Sequence, residues 1–287
     1  MRIAVLGSQG QLGRDLVPRL PGDVVALTRA DIDLSQPQTI TEKLTGLKPD
    51  IVINCAAYNL VDKAESEPEL AWRVNAIGVR DLARAASAVG ARFVHFSTDY
   101  VFGLDAMNST PLTESDAPGP VSVYGATKLA GEYLALAANP QTLVIRTCGL
   151  YGVHGTGGKG GNFVETMLRL AAQGKPLKVV DDQHCTPTAT ADLADATVKL
   201  LATGGTGLFH ITNAGATTWF QLASEIFRQS QLSVDLTPIT SAEFNAPARR
   251  PSYSVLDCEK VATGGIRIRE WPEAIGQYLS DRKLRKA

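Results

Sequence analysis

Arg2-Ile3-Ala4-Val5-Leu6-Gly7-Ser8-Gln9-Gly10-Gln11-Leu12-Gly13 decides how this chain folds. A short β-type run ends in glycines spaced G-x-x-G-x-x-G, and an apolar helical pattern follows through Leu16, Val17 and Leu20. Glycine lets a backbone turn tightly and come close to a pyrophosphate. A helix starting at such a turn aims its first N–H groups and its positive dipole end at the phosphates. By itself the glycine spacing describes only a tight turn. Between a strand and a helix it predicts a dinucleotide-binding turn at Gly7, Gly10 and Gly13.

Working outward, Asp23 to Leu27 reads as a second strand, followed by Thr28 and Arg29. A site for NAD usually places an acid here, whereas an arginine suits a 2′-phosphate. Arg29 therefore points to NADPH, with NADH as second choice; the competing reading is a solvated loop charge. Asp33 is expected to cap the helix Gln38–Leu47 or to meet the adenosine end, with Ser35 as rival cap. Asp50 to Asn54 is a near-continuous apolar strand of the buried parallel kind. A helix is expected from about Pro68 to Val89, with Asn75 inside it needing partners if buried. Arg92 to Phe96 is the fourth strand, and His95 reads as a strand histidine, not a ligand. In open α/β sheets ligands bind outside the carboxyl ends of the strands. Ser97, Thr98 and Asp99 stand at such an end.

A polar, proline-containing loop, Asn108 to Pro120, leads to Tyr124-Gly125-Ala126-Thr127-Lys128. Positions four apart on a helix share a face. A free tyrosine titrates near pH ~10, and a nearby cation lowers that value. A phenol tuned so can exchange a proton near neutrality, as carbonyl reduction requires. The expectation is that Lys128 lowers the pKa of Tyr124. Thr142 to Thr147 is the fifth strand.

The fold predicted is α/β: a Rossmann-type doubly wound parallel sheet with a smaller C-terminal α/β substrate-binding region. Residues 1–150 form the dinucleotide-binding domain and 151–287 mainly the substrate region, with segments returning to the Rossmann core. Helices are expected over Asn162 to Ala172, Ala191 to Leu201 and Trp219 to Arg228, the last capped by Thr217 or Thr218. Leu177 to Val180 and Gly207 to Ile211 read as strands, and Trp271, Ile275 and Leu279 mark a closing amphipathic helix. Arg249 and Arg250 offer guanidiniums to a diphosphate, or a solvated turn. A net charge of −1 gives no reason to expect nucleic acid or an anionic membrane. No apolar run nears the ~20 residues of a membrane helix. The four cysteines form no C-x-x-C pair and read as buried thiols of a reducing compartment. His184 beside Cys185 lacks a second pair at ligand spacing, so no metal site is assigned. Cytoplasm is the expected location.

Taken in order, the glycine turn, Ser97-Thr98-Asp99-Tyr100-Val101-Phe102 and Tyr124-x-x-x-Lys128 resemble the extended short-chain dehydrogenase/reductases acting on nucleotide sugars. Asn54-Cys55-Ala56-Ala57, Val61-Asp62-Lys63-Ala64-Glu65, Val74-Asn75-Ala76, His95-Phe96, Leu129-Ala130-Gly131-Glu132, Asp182-Gln183 with Pro187-Thr188, and Arg250-Pro251 with Ser254-Val255-Leu256-Asp257 narrow it. They resemble the dTDP-4-dehydrorhamnose reductase family along nearly the whole chain. That resemblance implies NAD(P)H-dependent reduction of the 4-keto group of dTDP-4-dehydro-L-rhamnose. It makes Tyr124 the proton donor, Lys128 the nicotinamide-ribose ligand and Thr98 the partner of the reacting oxygen, with Asp99 on the sugar. Gly10, Gln11 and Leu12 would line the pyrophosphate, Asp33 and Leu34 the adenosine end, and Ala57, Tyr58 and Asn59 the middle of the cofactor. The implied partner is a nucleotide sugar; a homodimer and a bound divalent ion stay open. The family commonly has a tryptophan after the fifth strand that packs on the substrate. Gly149 stands there instead, and Tyr151 or the glycine-rich loop His154 to Gly161 would have to substitute. Alternative functions are a nucleotide-sugar epimerase or dehydratase of the same superfamily, or a non-catalytic NADP-binding regulatory subunit.

Overall fold

β1 (Arg2–Leu6) is flanked on both sides by parallel strands: Ala4 lies opposite Val25 of β2 (Asp23–Leu27) and opposite Val52 of β3 (Ile51–Asn54). The computed structural model describes residues 1–154 and 161–286. β4 (Arg92–Thr98), β5 (Thr142–Thr147) and β6 (Gly207–His210) extend the sheet, giving the order β6-β5-β4-β3-β1-β2 with every pairing parallel. This is a mixed α/β fold with one central six-stranded sheet. Only β2 lies beyond β1, because the chain returns from α2 (Gln38–Leu47) directly to β3 beside β1. The order therefore reverses between β1 and β3, and a doubly wound sheet opens its ligand crevice at such a switch point.

Alternation along the strands feeds two cores. Ile3, Val5 and Ile53 pack with Leu12, Leu16, Leu193 and Leu200 on one face. Ala4, Leu6 and Val52 pack with Ile40, Leu44, Leu82 and Ala135 on the other. β5 has all six residues buried, as a strand covered on both faces requires. A third core joins Tyr151, Val164, Leu177, Leu222, Ile226, Ile275 and Leu279 of the C-terminal part. Residues Thr190–Ala202 and β6 leave that part and pack on the main sheet.

The span expected as one helix from Pro68 to Val89 is a helical rod with a flaw. Pro68–Trp72 is α-helical, Arg73–Ile77 widens into a π turn, and α3 (Gly78–Ala88) continues. A π turn inside a helix often marks a functional site. Here it carries Asn75, fully buried, with Oδ1 accepting from Tyr58 N and Nδ2 donating to Tyr58 O and Thr127 Oγ1. The cap assigned to Asp33 or Ser35 is not made: Pro37 stands at the start of α2 without a side-chain hydrogen bond. Asp33 Oδ1 instead accepts from Ser35 N and Oγ, a tight local turn that keeps both side chains busy. Thr218 does cap Trp219–Gln229, in a reciprocal pair with Gln221.

α4 (Val123–Ala138) begins at Ser122, whose hydroxyl accepts from Gly125 N. It lies so close to the π turn that a Cβ on Gly131 would stand 2.1 Å from Asn75 O. Overpacking of this kind costs about 1–3 kcal/mol. Gly131→Ala should therefore lower the thermal midpoint by several degrees, read by circular dichroism.

Candidate active site

The crevice is built first from missing side chains. At the β1 turn Gly7 has φ +70, and a Cβ there would lie 2.8 Å from Ala56 N on β3's exit. A Cβ on Gly13 would lie 2.4 Å from Gly7 O, and one on Gly10 3.1 Å from the same oxygen. Bare backbone thus meets bare backbone at the switch point, beneath the first turn of α1 (Gln11–Leu16). This cradle fits a dinucleotide pyrophosphate. Gln11 and Leu12 open the helix, but the Gln11 side chain turns away: it donates to Leu150 O and accepts from Gly152 N and Asn162 Nδ2.

At the far end, Arg29 projects into solvent, 79% exposed, with Nε anchored on Asp33 Oδ2 at 2.9 Å. Asp33 is held below its ordinary carboxylate value: burial raises it, and the Ser35 and Arg29 hydrogen bonds lower it by more. Leu34 is core-buried, its carbonyl close against Gly78. Ala57 and Tyr58 are half-buried after β3, and Asn59 is exposed. The Tyr58 phenol donates to Glu67 Oε2 at 2.7 Å and is pushed up to about 12 by burial and that carboxylate.

The reacting end lies at the exit of β4. Thr98 accepts from Tyr100 N and donates to Asp99 Oδ1 at 3.0 Å. Tyr124 meets the Thr98 hydroxyl, and its ring stands edge-on to Tyr100 at 5.8 Å. Burial raises the Tyr124 phenol well above its ordinary value; Thr98 lowers it, and Asp99 and Cys148 raise it further. The expected lowering by Lys128 is thus corrected. The Lys128 amine donates to Phe96 O at 2.6 Å and lies 3.2 Å from His95 Nε2. Ser97, on the opposite strand face, is buried with its hydroxyl lacking a hydrogen-bond partner and does not join Thr98.

Asp99 is 2% exposed and fully engaged: Oδ2 accepts from Ser254 Oγ at 2.6 Å and Cys148 Sγ at 3.1 Å. Burial raises its carboxyl, against these hydrogen bonds. Asp99 therefore ties β4 to the C-terminal segment, and its contact with a sugar is not part of the free geometry. Arg250 Nη2 pairs with Asp62 Oδ2 at 3.0 Å, so this guanidinium is committed to a carboxylate. Tyr151, expected to replace the absent tryptophan, is buried against Tyr278. The ring beside Gly149 is Trp219, whose Cη2 lies 3.4 Å from where a Gly149 Cβ would stand. Most of the loop His154 to Gly161 lies outside the described residues. His184 stacks on Tyr253. A cleft of ≈430 Å³ lined by Phe102, Leu104, Asp105 and Tyr253 opens beside the cluster, not over Tyr124.

Sequence reasoning passed over three groups. His95 was placed in its strand but not linked to Lys128. Ser254 and Cys148 sit far from Asp99 in sequence. Glu132 lies one turn beyond Lys128 and pairs with Arg146 of β5 at 2.7 Å, both 2% exposed; an i,i+4 Lys–Glu spacing hides the true, distant partner.

A glycine-cradled switch point and a Tyr-x-x-x-Lys helix at the next strand end define a dinucleotide-binding α/β oxidoreductase. Residues 1–284 match the family described as RmlD substrate binding domain. A dTDP-4-dehydrorhamnose reductase of Streptomyces griseus is 42% identical over 287 residues, covering 96% of this chain and 91% of the relative. The crystal structure of a dTDP-4-dehydrorhamnose reductase from Clostridium acetobutylicum superposes with a TM-score of 0.91 at 42% identity, covering 100% of both chains. One from Bacillus anthracis, in complex with NADP, gives a TM-score of 0.91 at 35% identity, covering 98% and 99%. The chain belongs to this family.

Removing one member of a buried ion pair strands the other and costs about 3–5 kcal/mol. Glu132→Gln should lower the denaturant midpoint accordingly, whereas replacing Glu132 and Arg146 together by apolar residues should cost much less.

Proposed function

We propose that this chain reduces the 4-keto group of dTDP-4-dehydro-L-rhamnose to dTDP-L-rhamnose with NADPH. The observation that carries the reading is the Tyr124 phenol, raised by burial and held against Thr98 at the exit of β4, on the same sheet edge as the glycine cradle. Family membership over 284 residues supplies the substrate class.

The bound nicotinamide supplies a hydride to the sugar carbon. Tyr124 delivers the proton to the oxygen. A phenol raised above its ordinary value stays protonated across the neutral range, which a proton donor to a nascent alkoxide needs. Thr98, fixed between Tyr100 N and Asp99, aims the phenol and the reacting oxygen. Lys128 holds the nicotinamide ribose and offsets charge as the phenolate forms. Positioning supplies much of the rate. Trp219, beside Gly149, takes the place of the sugar-packing ring.

Arg29 receives the 2′-phosphate; its exposed guanidinium and the pre-engaged Asp33 favour NADPH over NADH. Gly7, Gly10, Gln11, Leu12 and Gly13 take the pyrophosphate, Asp33 and Leu34 the adenosine end, and Ala57, Tyr58 and Asn59 the middle. Residues 1–150 serve the cofactor and 151–287 mainly the sugar nucleotide; the separate C-terminal core supports that division. Among the described residues no helix is long and apolar enough to cross a membrane. With four free cysteines, the reading places the chain in the cytoplasm. Pairing with a second copy belongs to the same reading.

Tyr124→Phe should cut turnover of dTDP-4-dehydrorhamnose by orders of magnitude, followed as NADPH absorbance, while NADPH binding by calorimetry changes little. Turnover near that of the parent chain would overturn the assignment. Charge-assisted hydrogen bonds contribute about 1.5–3 kcal/mol. Arg29→Ala should accordingly raise the KM for NADPH at least tenfold and leave that for NADH nearly unchanged.

A further inference from the structure

Lys128 is 2% exposed, and its hydrogen-bond partners are a carbonyl and an imidazole. Where the proton between Lys128 Nζ and His95 Nε2 resides is set one link further on. Ala56 N donates to Asn54 Oδ1 at 3.0 Å. That fixes the amide, so Asn54 turns its NH2 toward His95 Nδ1 at 3.1 Å. An amide NH2 donates only. His95 Nδ1 is therefore the acceptor, and the neutral ring carries its hydrogen on Nε2, aimed at Lys128. An ammonium has three donors and no acceptor. With Lys128 charged, two N–H groups would face each other; with Lys128 neutral, the lone pair accepts.

We propose that His95 is a positioning residue that donates its Nε2–H to Lys128 Nζ, stabilises the neutral amine, and so sets the protonation state of the lysine one helical turn after Tyr124. The ring itself cannot take up the strain by charging: it is fully buried, and burial and Lys128 hold it well below its ordinary value. A second proton on Nδ1 would also face the Asn54 NH2. Burial independently brings the amine down to about 8.

The other charges around Lys128 do not undo this. Glu132, on its own helix, favours the ammonium but is joined to Arg146 of β5. Tyr124, one turn earlier, stays neutral, and Asp99, on the turn packed against α4, has a raised carboxyl. The π turn brings the uncharged Asn75 inward, with Arg73 exposed. On α3, Arg80 and Asp81 pair with each other and Arg84 is exposed. On the short helix Val61–Ala64, Asp62 is paired with Arg250 and Lys63 with Glu67, and the next residue, Glu65, accepts from Val123 N.

The link to turnover rests on the reductase reading. There the ammonium steadies the phenolate left after proton delivery, so turnover falls as pH rises through the amine's titration. Three measurements on the full chain test the proposal. Nitrogen NMR of the ligand-free protein labelled in its four histidines should show the His95 ring, identified by its loss in His95→Phe, as the Nε2–H tautomer. Carbon NMR of the lysine Cε, with Lys128 identified by Lys128→Met, should titrate near neutrality, and His95→Phe should move that midpoint up by about a unit, a tenfold change in proton affinity. The alkaline limb of kcat should move up with it. An Nδ1–H ring, or a midpoint unmoved or lowered in His95→Phe, would overturn the proposal. The tautomer is read on the parent chain, so the test survives a poorly folding variant. The expected NMR results without ketone reduction would leave the pairing standing and remove the reductase reading.

Discussion

Everything at the reacting end depends on how closely α4 approaches its neighbours. A Cβ on Gly125 would lie 2.2 Å from Tyr100 O, and one on Gly131 2.1 Å from Asn75 O. Two glycines, six residues apart, let the helix sink against the turn after β4 and against the π turn. Tyr124 and Lys128 lie on the stretch between those contacts or at its edge. The depth of the helix sets where the phenol meets Thr98 and why the amine ends inside β4's backbone. Tight packing transmits small displacements, since interiors have little free volume to absorb them.

That depth has an electrostatic cost. Lys128, Glu132 and Arg146 are all but removed from water, and buried charges are tolerated only when paired and hydrogen-bonded. Glu132 and Arg146 satisfy each other through three contacts, with Arg146 also over the Phe102 ring at 5.0 Å. That leaves Lys128 with no carboxylate of its own. Its site lowers the amine to about 8 by burial instead of supplying it a counter-charge.

The sheet and the glycine turn were legible because their signals are local. β1, β2, α2 and β5 fall on the predicted residues, since apolar runs and turn glycines need no distant partner to be read. The places of Tyr124 and Thr98 in the fold were legible for the same reason: one lies at the start of a helix, the other at a strand end. What stayed hidden is pairing between segments. Nothing near Asp99 in sequence announces Ser254 or Cys148, which hydrogen-bond its carboxylate and make it a tie between segments. Nothing near Gly149 announces Trp219. The lysine's effect on the phenol was read as a charge at four-residue spacing; burial raises the phenol instead, and the amine lies on His95 and the Phe96 carbonyl.

In the proposed function, with Tyr124 as the proton donor, the raised phenol bears on direction. Alcohol oxidation needs a base at this position, and a phenol pushed upward by burial is a poor one at neutral pH. Ketone reduction needs the acid, which the same burial supplies. Asp99 reinforces the bias, since any negative charge kept there, 2% exposed and one residue from Thr98, opposes phenolate formation. A sugar bound there would exclude water further and strengthen that field. In that reading burial and Asp99 both favour a Tyr124 that holds its proton until an alkoxide takes it, and the ammonium of Lys128 acts only afterwards, on the phenolate.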